Sequence, residues 1–413
     1  MNFIADLHIH SHFSIATSKQ LTAPYLDLWA RKKGITVVGT GDAAHPGWLE
    51  ELDAHLTPAG NGLFTIKKKA QLPEAKELAG NPVYFMLTAE ISCIYRCDGK
   101  VRKVHNIVFA PDMASFRKLQ KKLGAIGNIT SDGRPILGLD SRDLLEMVLE
   151  SSSTAALIPA HIWTPWFSVL GSKSGFDTIT DCYRDLSEHI FAVETGLSSD
   201  PPMNRRCSFL DRYALISNSD AHSPEKLGRE ANRFSTECSY DGIINALKNP
   251  AGGEFLGTIE YYPEEGKYHL DGHRACGICW EPEETVKHKG ICPVCGKTVT
   301  VGVLNRVNVL ADRKKTTGKG VPKSPFISLT GLKSILAERY GVREQTKKVR
   351  TVYEDMLRQF GSEFAILVDI PFASLQSFDE PVAEGIARLR KGDVYLEGGF
   401  DGVFGKVKVY ENR

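Results

Sequence analysis

No stretch of eighteen consecutive apolar residues occurs in the 413-residue chain, and the opening run 1–13 has no basic segment followed by an apolar one. The first absence excludes a membrane-spanning helix, and the second leaves no secretory signal to read. A cytoplasmic protein without a membrane partner is therefore expected. Internal repeats and sustained low-complexity tracts are also missing, so the chain does not read as a repeat array. Net charge is scarce as well, +1 overall. With 42% hydrophobic and 24% charged residues, the chain reads as an ordinary soluble protein able to bury a large core, in two or three domains.

The small net charge hides an uneven distribution. Residues 301–360 hold thirteen Lys or Arg against five Asp or Glu, a local balance of +8. Either this is a solvated surface balanced elsewhere, or it faces a phosphate-bearing partner, since clustered Lys and Arg release condensed counterions on meeting a nucleic-acid backbone. Of the nine cysteines, Cys93, Cys97, Cys182, Cys207 and Cys238 are scattered and read as reduced thiols. Cys276, Cys279, Cys292 and Cys295 form two C-x-x-C pairs separated by twelve residues. Four thiolates at that spacing can close a tetrahedral structural zinc site with no open position for chemistry. His269, His273 and His288 lie nearby as weaker ligand candidates.

Up to residue 235, short apolar runs repeatedly lead into polar, ligand-type residues. The runs 3–5, 35–38, 83–87, 155–158, 191–193 and 215–217 precede Asp6 and His8, Asp42, Glu90, His161, Glu194 and Asp220 respectively, and the run 107–109 follows His105. Helix-like stretches 23–33, 113–123 and 142–150 lie between some of them. About seven strand–helix repeats argue for an α/β fold of the β/α-barrel kind, with functional residues gathered at the carboxyl ends of the strands. Periodicity alone does not separate a barrel from a doubly wound sheet.

In Asp6-Leu7-His8-Ile9-His10, alternation along a strand puts both histidines on one face, where they can hold one ion. Asp6 could orient a histidine from behind. A lone H-x-H is weak, but Glu90, His105, His161, Asp220 and His222 follow at intervals suited to successive strands.

This order of residues resembles the metal-ligand set of the PHP (polymerase and histidinol phosphatase) superfamily. The resemblance implies a distorted (β/α)7 barrel in which His8, His10, Glu90 and Asp220 hold a first metal, and Glu90 bridges to a second held by His105 and His161. His222 would belong to a third site, and Asp220, Glu90 and His161 would be central to catalysis. The chain departs from the superfamily at that third site, where Ala16 stands near an expected ligand position. Asp42 or His45 could substitute there, or each could serve a structural turn, and Glu194 is a further candidate ligand.

Within the superfamily, the strings Gly39-Thr40-Gly41-Asp42, Pro159-Ala160-His161-Ile162-Trp163-Thr164-Pro165-Trp166, Glu194-Thr195-Gly196-Leu197-Ser198-Ser199-Asp200-Pro201-Pro202 and Ser217-Asn218-Ser219-Asp220-Ala221-His222-Ser223-Pro224 are similar to the endonuclease Q family. That resemblance implies a nuclease nicking DNA on the 5′ side of deoxyuridine, hypoxanthine, xanthine or an abasic site. It implies a barrel over 1–240, a four-cysteine zinc module over 241–305 and a basic, mainly helical DNA-binding region over 306–413. The expected cofactors are two or three divalent ions in the barrel (Zn²⁺, Mn²⁺ or Mg²⁺) and one structural Zn²⁺. DNA, as damaged duplex or single strand, is the expected partner, and a sliding clamp is a candidate protein partner.

Such a nuclease needs a pocket for a base taken out of the stack. Trp163, Trp166 and Phe167 follow His161 and read either as stacking residues over the cluster or as loop anchors in the core. Ser198, Ser199 and Asn204 could read the base edge. Lys314 and Lys315 lie in a Lys-, Gly- and Pro-rich stretch, 311–324, that reads as a linker or a DNA-contacting loop. Beyond it, 332–340 and 346–360 read as amphipathic helices with basic faces, and 394–410 as a short hairpin. Two other readings compete: a small-molecule phosphoesterase, which leaves the zinc module and basic tail without a role, and a non-catalytic binding module, which Ala16 favours and the remaining ligands oppose.

Overall fold

The computed structural model describes every residue except 79, 81, 315, 319 and 411–413. Its centre is a distorted barrel. Strand β1 (Asn2–Asp6) lies parallel to β2 (Val37–Gly39), and β2 parallel to β3 (Tyr84–Met86). Next comes a long antiparallel hairpin, β4 (Thr88–Cys97) and β5 (Lys100–Phe109), whose second strand pairs antiparallel with β6 (Ala156–Pro159). Ile162 N–H donates to the Glu194 carbonyl beside β7 (Ala192–Glu194), and β7 runs parallel to β8 (Ala214–Ile216). A parallel bridge between Ile9 and Ala221 returns the ring to the end of β1.

All seven apolar runs thus become barrel strands, but the regular strand–helix alternation fails at the fourth. There the run 107–109 is the end of a ten-residue strand, so His105 sits inside the hairpin and not beyond a strand end. The helices Ala23–Lys33, Met113–Gly124 and Ser141–Ser151 cover the outside. Asp112 and Asp140 cap the last two by accepting from Ser115 N–H (2.7 Å) and Arg142 N–H (2.9 Å). Gly34 ends the first in the left-handed region (φ 87°), as a Cβ-free residue readily does.

The sheet continues past residue 240. β9 (Ala231–Ser235) pairs antiparallel with β1, β10 (Phe255–Tyr261) with β9, and β11 (Phe326–Leu329) parallel with β10. The helices Leu332–Tyr340, Lys347–Phe360 and Glu380–Arg390 follow, and ion pairs Lys33–Glu363 (2.7 Å) and Lys32–Glu354 (2.6 Å) fasten them to helix Ala23–Lys33. The expected hairpin is formed by Tyr395–Glu397 and Lys406–Lys408, and its turn folds back so that Gly399 N–H donates to the Glu264 carbonyl (2.8 Å). Among the described residues no helix is long and apolar enough to cross a membrane.

Candidate metal centre

Strand alternation puts His8 and His10 on the inner face just past β1, and their rings meet carboxylates from across the barrel. His10 Nε2 is 3.0 Å from Asp220 Oδ1 and 3.5 Å from Glu90 Oε2. His8 Nε2 is buried, has no hydrogen-bond partner, and points between Glu90 (3.7 Å) and Asp220 (3.9 Å). On the other side of Glu90, its Oε1 lies 2.6 Å from His105 Nδ1 and 3.1 Å from His161 Nε2. Two ligand groups result, His8–His10–Asp220 and Glu90–His105–His161, with Glu90 between them. The described residues bring together no third group in the barrel. His222 stands at the rim, its ring 4.6 Å from that of His10 and its Nδ1 bonded to the Asp220 carbonyl (2.8 Å).

These residues fit divalent cations. Four carboxylates, Asp42, Glu90, Glu194 and Asp220, converge here, and among the described residues Arg134 is the one arginine ion-paired with any of them; buried charge left unbalanced is costly. The excess shows in the imidazoles. Burial opposes protonation of His10, yet Asp42 and Asp220 carry it up to about 10. His105 is pushed by burial down to about 4 and is neutral at physiological pH, the form in which an imidazole can ligate. The orphaned Nε2 of His8 is a donor atom aimed at the place an ion would occupy.

Asp42 and His45 take the second of the two roles the sequence leaves open, Glu194 sits behind the ligand groups, and Asp6 does not orient a histidine. Asp42 accepts from Ser11 N–H (2.6 Å), Ser11 Oγ (2.7 Å) and Ser14 Oγ (2.8 Å), and its other oxygen backs His10 Nδ1 (3.1 Å). Glu194 backs His8 Nδ1 and accepts from His161 N–H (2.7 Å) and Asn218 Nδ2 (2.9 Å). Both therefore orient ligating rings, which fixes the tautomer that leaves Nε2 facing inward. His45 is turned away: one ring nitrogen accepts from Trp48 N–H and the other donates to the Thr130 carbonyl, so it caps a helix. Asp6 orients no histidine; it accepts from Ser219 N–H (3.0 Å), Ser219 Oγ (2.6 Å) and Gly228 N–H (2.9 Å), pinning the loop that carries Asp220. His161, Asp220, Asp42, Phe167 and Ala16 all have positive φ, from 26° to 63°, a clustering of strained backbone that marks functional sites.

The centre opens into a cleft of about 400 Å³ lined by Trp166, Phe167, Ser198, Leu197 and Ile136. Trp166 is 39% exposed and meets Tyr268 edge-on at 5.6 Å, while Phe167 covers His105 at 4.8 Å. Trp163, fully buried, is a core anchor: its Nε1 donates to Asn204 Oδ1 (2.8 Å), and Asn204 donates to Ser199 Oγ (3.0 Å). Burial thus takes Trp163, Asn204 and Ser199 out of the lining. Lys314 is exposed and is not among the residues lining the cleft, and Lys315 lies outside the described residues. Arg134 and Tyr268 were not singled out from the sequence. The only local signal for Arg134 is the turn-forming string Ser131-Asp132-Gly133-Arg134-Pro135.

In the zinc module the clustered ligand atoms belong to Cys276, Cys292, Cys295 and His273, with Cys295 Sγ 3.6 Å from His273 Nδ1. Cys279 is exposed on the strand Ile278–Trp280, outside that group. The group thus has His273 where the sequence reading expects Cys279, whose backbone pairs with Gly272. Burial disfavours the Cys292 thiolate, but the backbone N–H groups of Cys295 and Val294 bring it down to about 7, as a metal-binding knuckle requires.

Similarity to known proteins extends over the whole chain. The crystal structure of the lesion-specific endonuclease PfuEndoQ from Pyrococcus furiosus superposes with a TM-score of 0.86 at 32% identity, covering 100% of this chain and 98% of that one. An endonuclease Q complex with a 27-mer duplex substrate bearing an abasic lesion at the active site gives 0.85 at 33% identity, covering 100% and 97%. The uncharacterized protein YqxK of Bacillus subtilis is 28% identical over 98% of both chains. The uncharacterized protein MJ0043 of Methanocaldococcus jannaschii is 33% identical over 60% of this chain, which spans only 31% of that protein. A family model described as the MJ0043 C-terminal domain matches residues 331–393.

Proposed function

The chain belongs to the endonuclease Q family, and from that premise we propose that it is a lesion-specific DNA endonuclease that nicks one strand on the 5′ side of deoxyuridine, hypoxanthine, xanthine or an abasic site. The observation that carries this reading is the pair of ligand groups meeting at Glu90 at the floor of a cleft large enough for a nucleotide. A non-catalytic module would have no reason to keep both groups assembled around an orphaned His8 Nε2.

In this reading His8, His10, Asp220 and Glu90 hold one divalent ion, and Glu90, His105 and His161 a second. Zn²⁺ and Mn²⁺ suit the histidine-rich set better than Mg²⁺. Bound ions supply a water of lowered pKa and stabilise charge on the phosphate and leaving oxygen. The chain's own residues orient and exclude. Glu194 and Asp42 hold the imidazoles in register, Thr164 Oγ1 steadies His161 Nδ1 at 3.1 Å, and Phe167 shields His105 from water. Trp166 offers its face to an unstacked base, and Ser198 a hydroxyl to its edge. The division of labour we propose is a barrel over 1–240 for the metals, a zinc module over 241–305, and a region over 306–413, with Lys314 and Lys315, for the DNA backbone. Nothing in the described residues bears on a sliding clamp.

End-labelled duplexes carrying one deoxyuridine, hypoxanthine, xanthine or abasic site, beside an undamaged control, test the reading with Mg²⁺ or Mn²⁺ present. A nick immediately 5′ of the lesion, lost in Asp220→Asn, is expected. Intact lesion duplexes in every metal would sink it.

A further inference from the structure

Among the described residues, Arg134 is the one Lys or Arg lining the cleft over the metal centre. Its turn is clamped to the surrounding backbone. Asp132 Oδ1 accepts from Arg134 N–H and from Ile15 N–H, both at 3.2 Å. Gly133 N–H donates to the Phe13 carbonyl (3.0 Å), and Ser92 N–H to the Pro135 carbonyl (3.0 Å). Gly133 packs so closely that a Cβ there would lie 2.3 Å from Asp42 Oδ2 and 2.6 Å from Ser14 Oγ. The turn is therefore seated on the carboxylate that backs His10, and the guanidinium it carries is held in the wall of the site.

That guanidinium is incompletely satisfied. Nη1 bonds Glu90 Oε2 at 3.1 Å, whereas Nε is buried without a partner. Glu90 belongs to one ligand group and lies 3.5 and 3.7 Å from His10 and His8 of the other, so divalent ions held there would compete with Arg134 for its oxygens and repel its charge. The side chain is only partly buried, 25% exposed at the cleft, so a guanidinium released by Glu90 faces the space where the reaction brings another anion, the phosphodiester. The planar fork of an arginine matches the geometry of phosphate oxygens.

We propose that Arg134 is a catalytic residue of the phosphodiesterase reaction: its guanidinium grips a non-bridging oxygen of the scissile phosphate and neutralises the charge that builds there. Arg134 makes and breaks no bond. It would give up its contact with Glu90 for the phosphate when metals and DNA are bound, and so supply positive charge from the cleft wall beside Glu90. The inference rests on the phosphodiesterase reading above and adds to it the residue that holds the substrate's charge.

The test compares wild type, Arg134→Lys and Arg134→Gln for metal content, for single-turnover cleavage of an abasic-site duplex, and for cleavage of the two phosphorothioate diastereomers at the scissile position. Arg134→Gln is expected to keep its metals and lose about 100-fold in rate, the size for one donor to a developing oxyanion, with Arg134→Lys in between. Sulfur at the contacted oxygen should slow wild type but add nothing to the defect of Arg134→Gln. A Gln variant that loses metal along with activity, or cleaves within threefold of wild type, or keeps the full sulfur effect, overturns the proposal. Wild type that leaves lesion DNA intact but hydrolyses bis(p-nitrophenyl) phosphate would sink the repair reading alone, and rates of the same variants on that ester would still decide the role of Arg134.

Discussion

Glu194 and His8 stand 186 positions apart in the chain and meet inside the barrel, with the Glu194 oxygens 3.0 and 3.1 Å from His8 Nδ1. The contact turns Nε2 toward Glu90 and Asp220, and Asp42 does the same for His10. Glu194→Gln is expected to fold and to bind Mn²⁺ about 10- to 100-fold more weakly, the cost of losing a carboxylate that orients a ligating imidazole. Titration calorimetry with Mn²⁺ reads this directly. An affinity loss as large as that of His8→Ala would make Glu194 a ligand itself and not a support.

The zinc module offers a cleaner separation. If His273 closes the site with Cys276, Cys292 and Cys295, then Cys276→Ser and His273→Ala lose zinc while Cys279→Ser retains it. Bound zinc after purification, measured by mass spectrometry, settles the matter. Because such a site couples metal to local folding, the zinc-free variants should lose protease resistance in 241–305 while the barrel stays intact. A zinc-free Cys279→Ser would restore the four-thiolate arrangement.

Much of this centre was legible in the sequence because strand geometry is local. Alternation places His8 and His10 on one face, and residues such as Glu90, His161 and Asp220 lie within a few positions of an apolar run. What the sequence hid depends on which way the chain runs and what comes from elsewhere. His105 sits inside a hairpin strand antiparallel to β6, and no periodicity reports direction. Trp163 and Trp166, three positions apart, were equivalent until the core took one and left the other. Arg134 reaches the cleft from a turn, and Tyr268 reaches Trp166 from the segment ahead of Cys276, with no apolar run ahead of either.

The two tryptophans should accordingly fail in different ways. Trp166→Ala is expected to fold normally and to bind an abasic or deoxyuridine duplex roughly 10- to 100-fold more weakly in the Asp220→Asn background, where cleavage does not intervene, as the loss of one stacking surface implies. Trp163→Ala should instead destabilise the fold by about 3–5 kcal/mol, as a large buried side chain does when truncated. Fluorescence anisotropy and thermal melting distinguish these outcomes. Weakened binding without destabilisation in Trp163→Ala would return that ring to the DNA.

Behind the cleft, Glu260 and Glu230 are fully buried, with Thr258 and Thr195 hydroxyls donating to Glu260 at 2.6 and 3.2 Å and Ser217 donating to Glu230. Burial raises Glu260 from 4.5 to about 8, and burial together with Glu260 raises Glu230 well above its ordinary range. Between those pH values the native state keeps a proton on Glu260 that the unfolded chain has released. The stabilising contribution is therefore complete below about pH 4.5, falls by about 1.4 kcal/mol per pH unit across the window, and is lost once pH passes about 8. Glu260→Gln, a neutral group of the same shape, removes that dependence. Its Tm should match wild type near pH 5 and exceed it by on the order of 2–5 °C at pH 8. Parallel Tm–pH curves for the two proteins would mean that Glu260 is ionised in the native state and that another cation balances it.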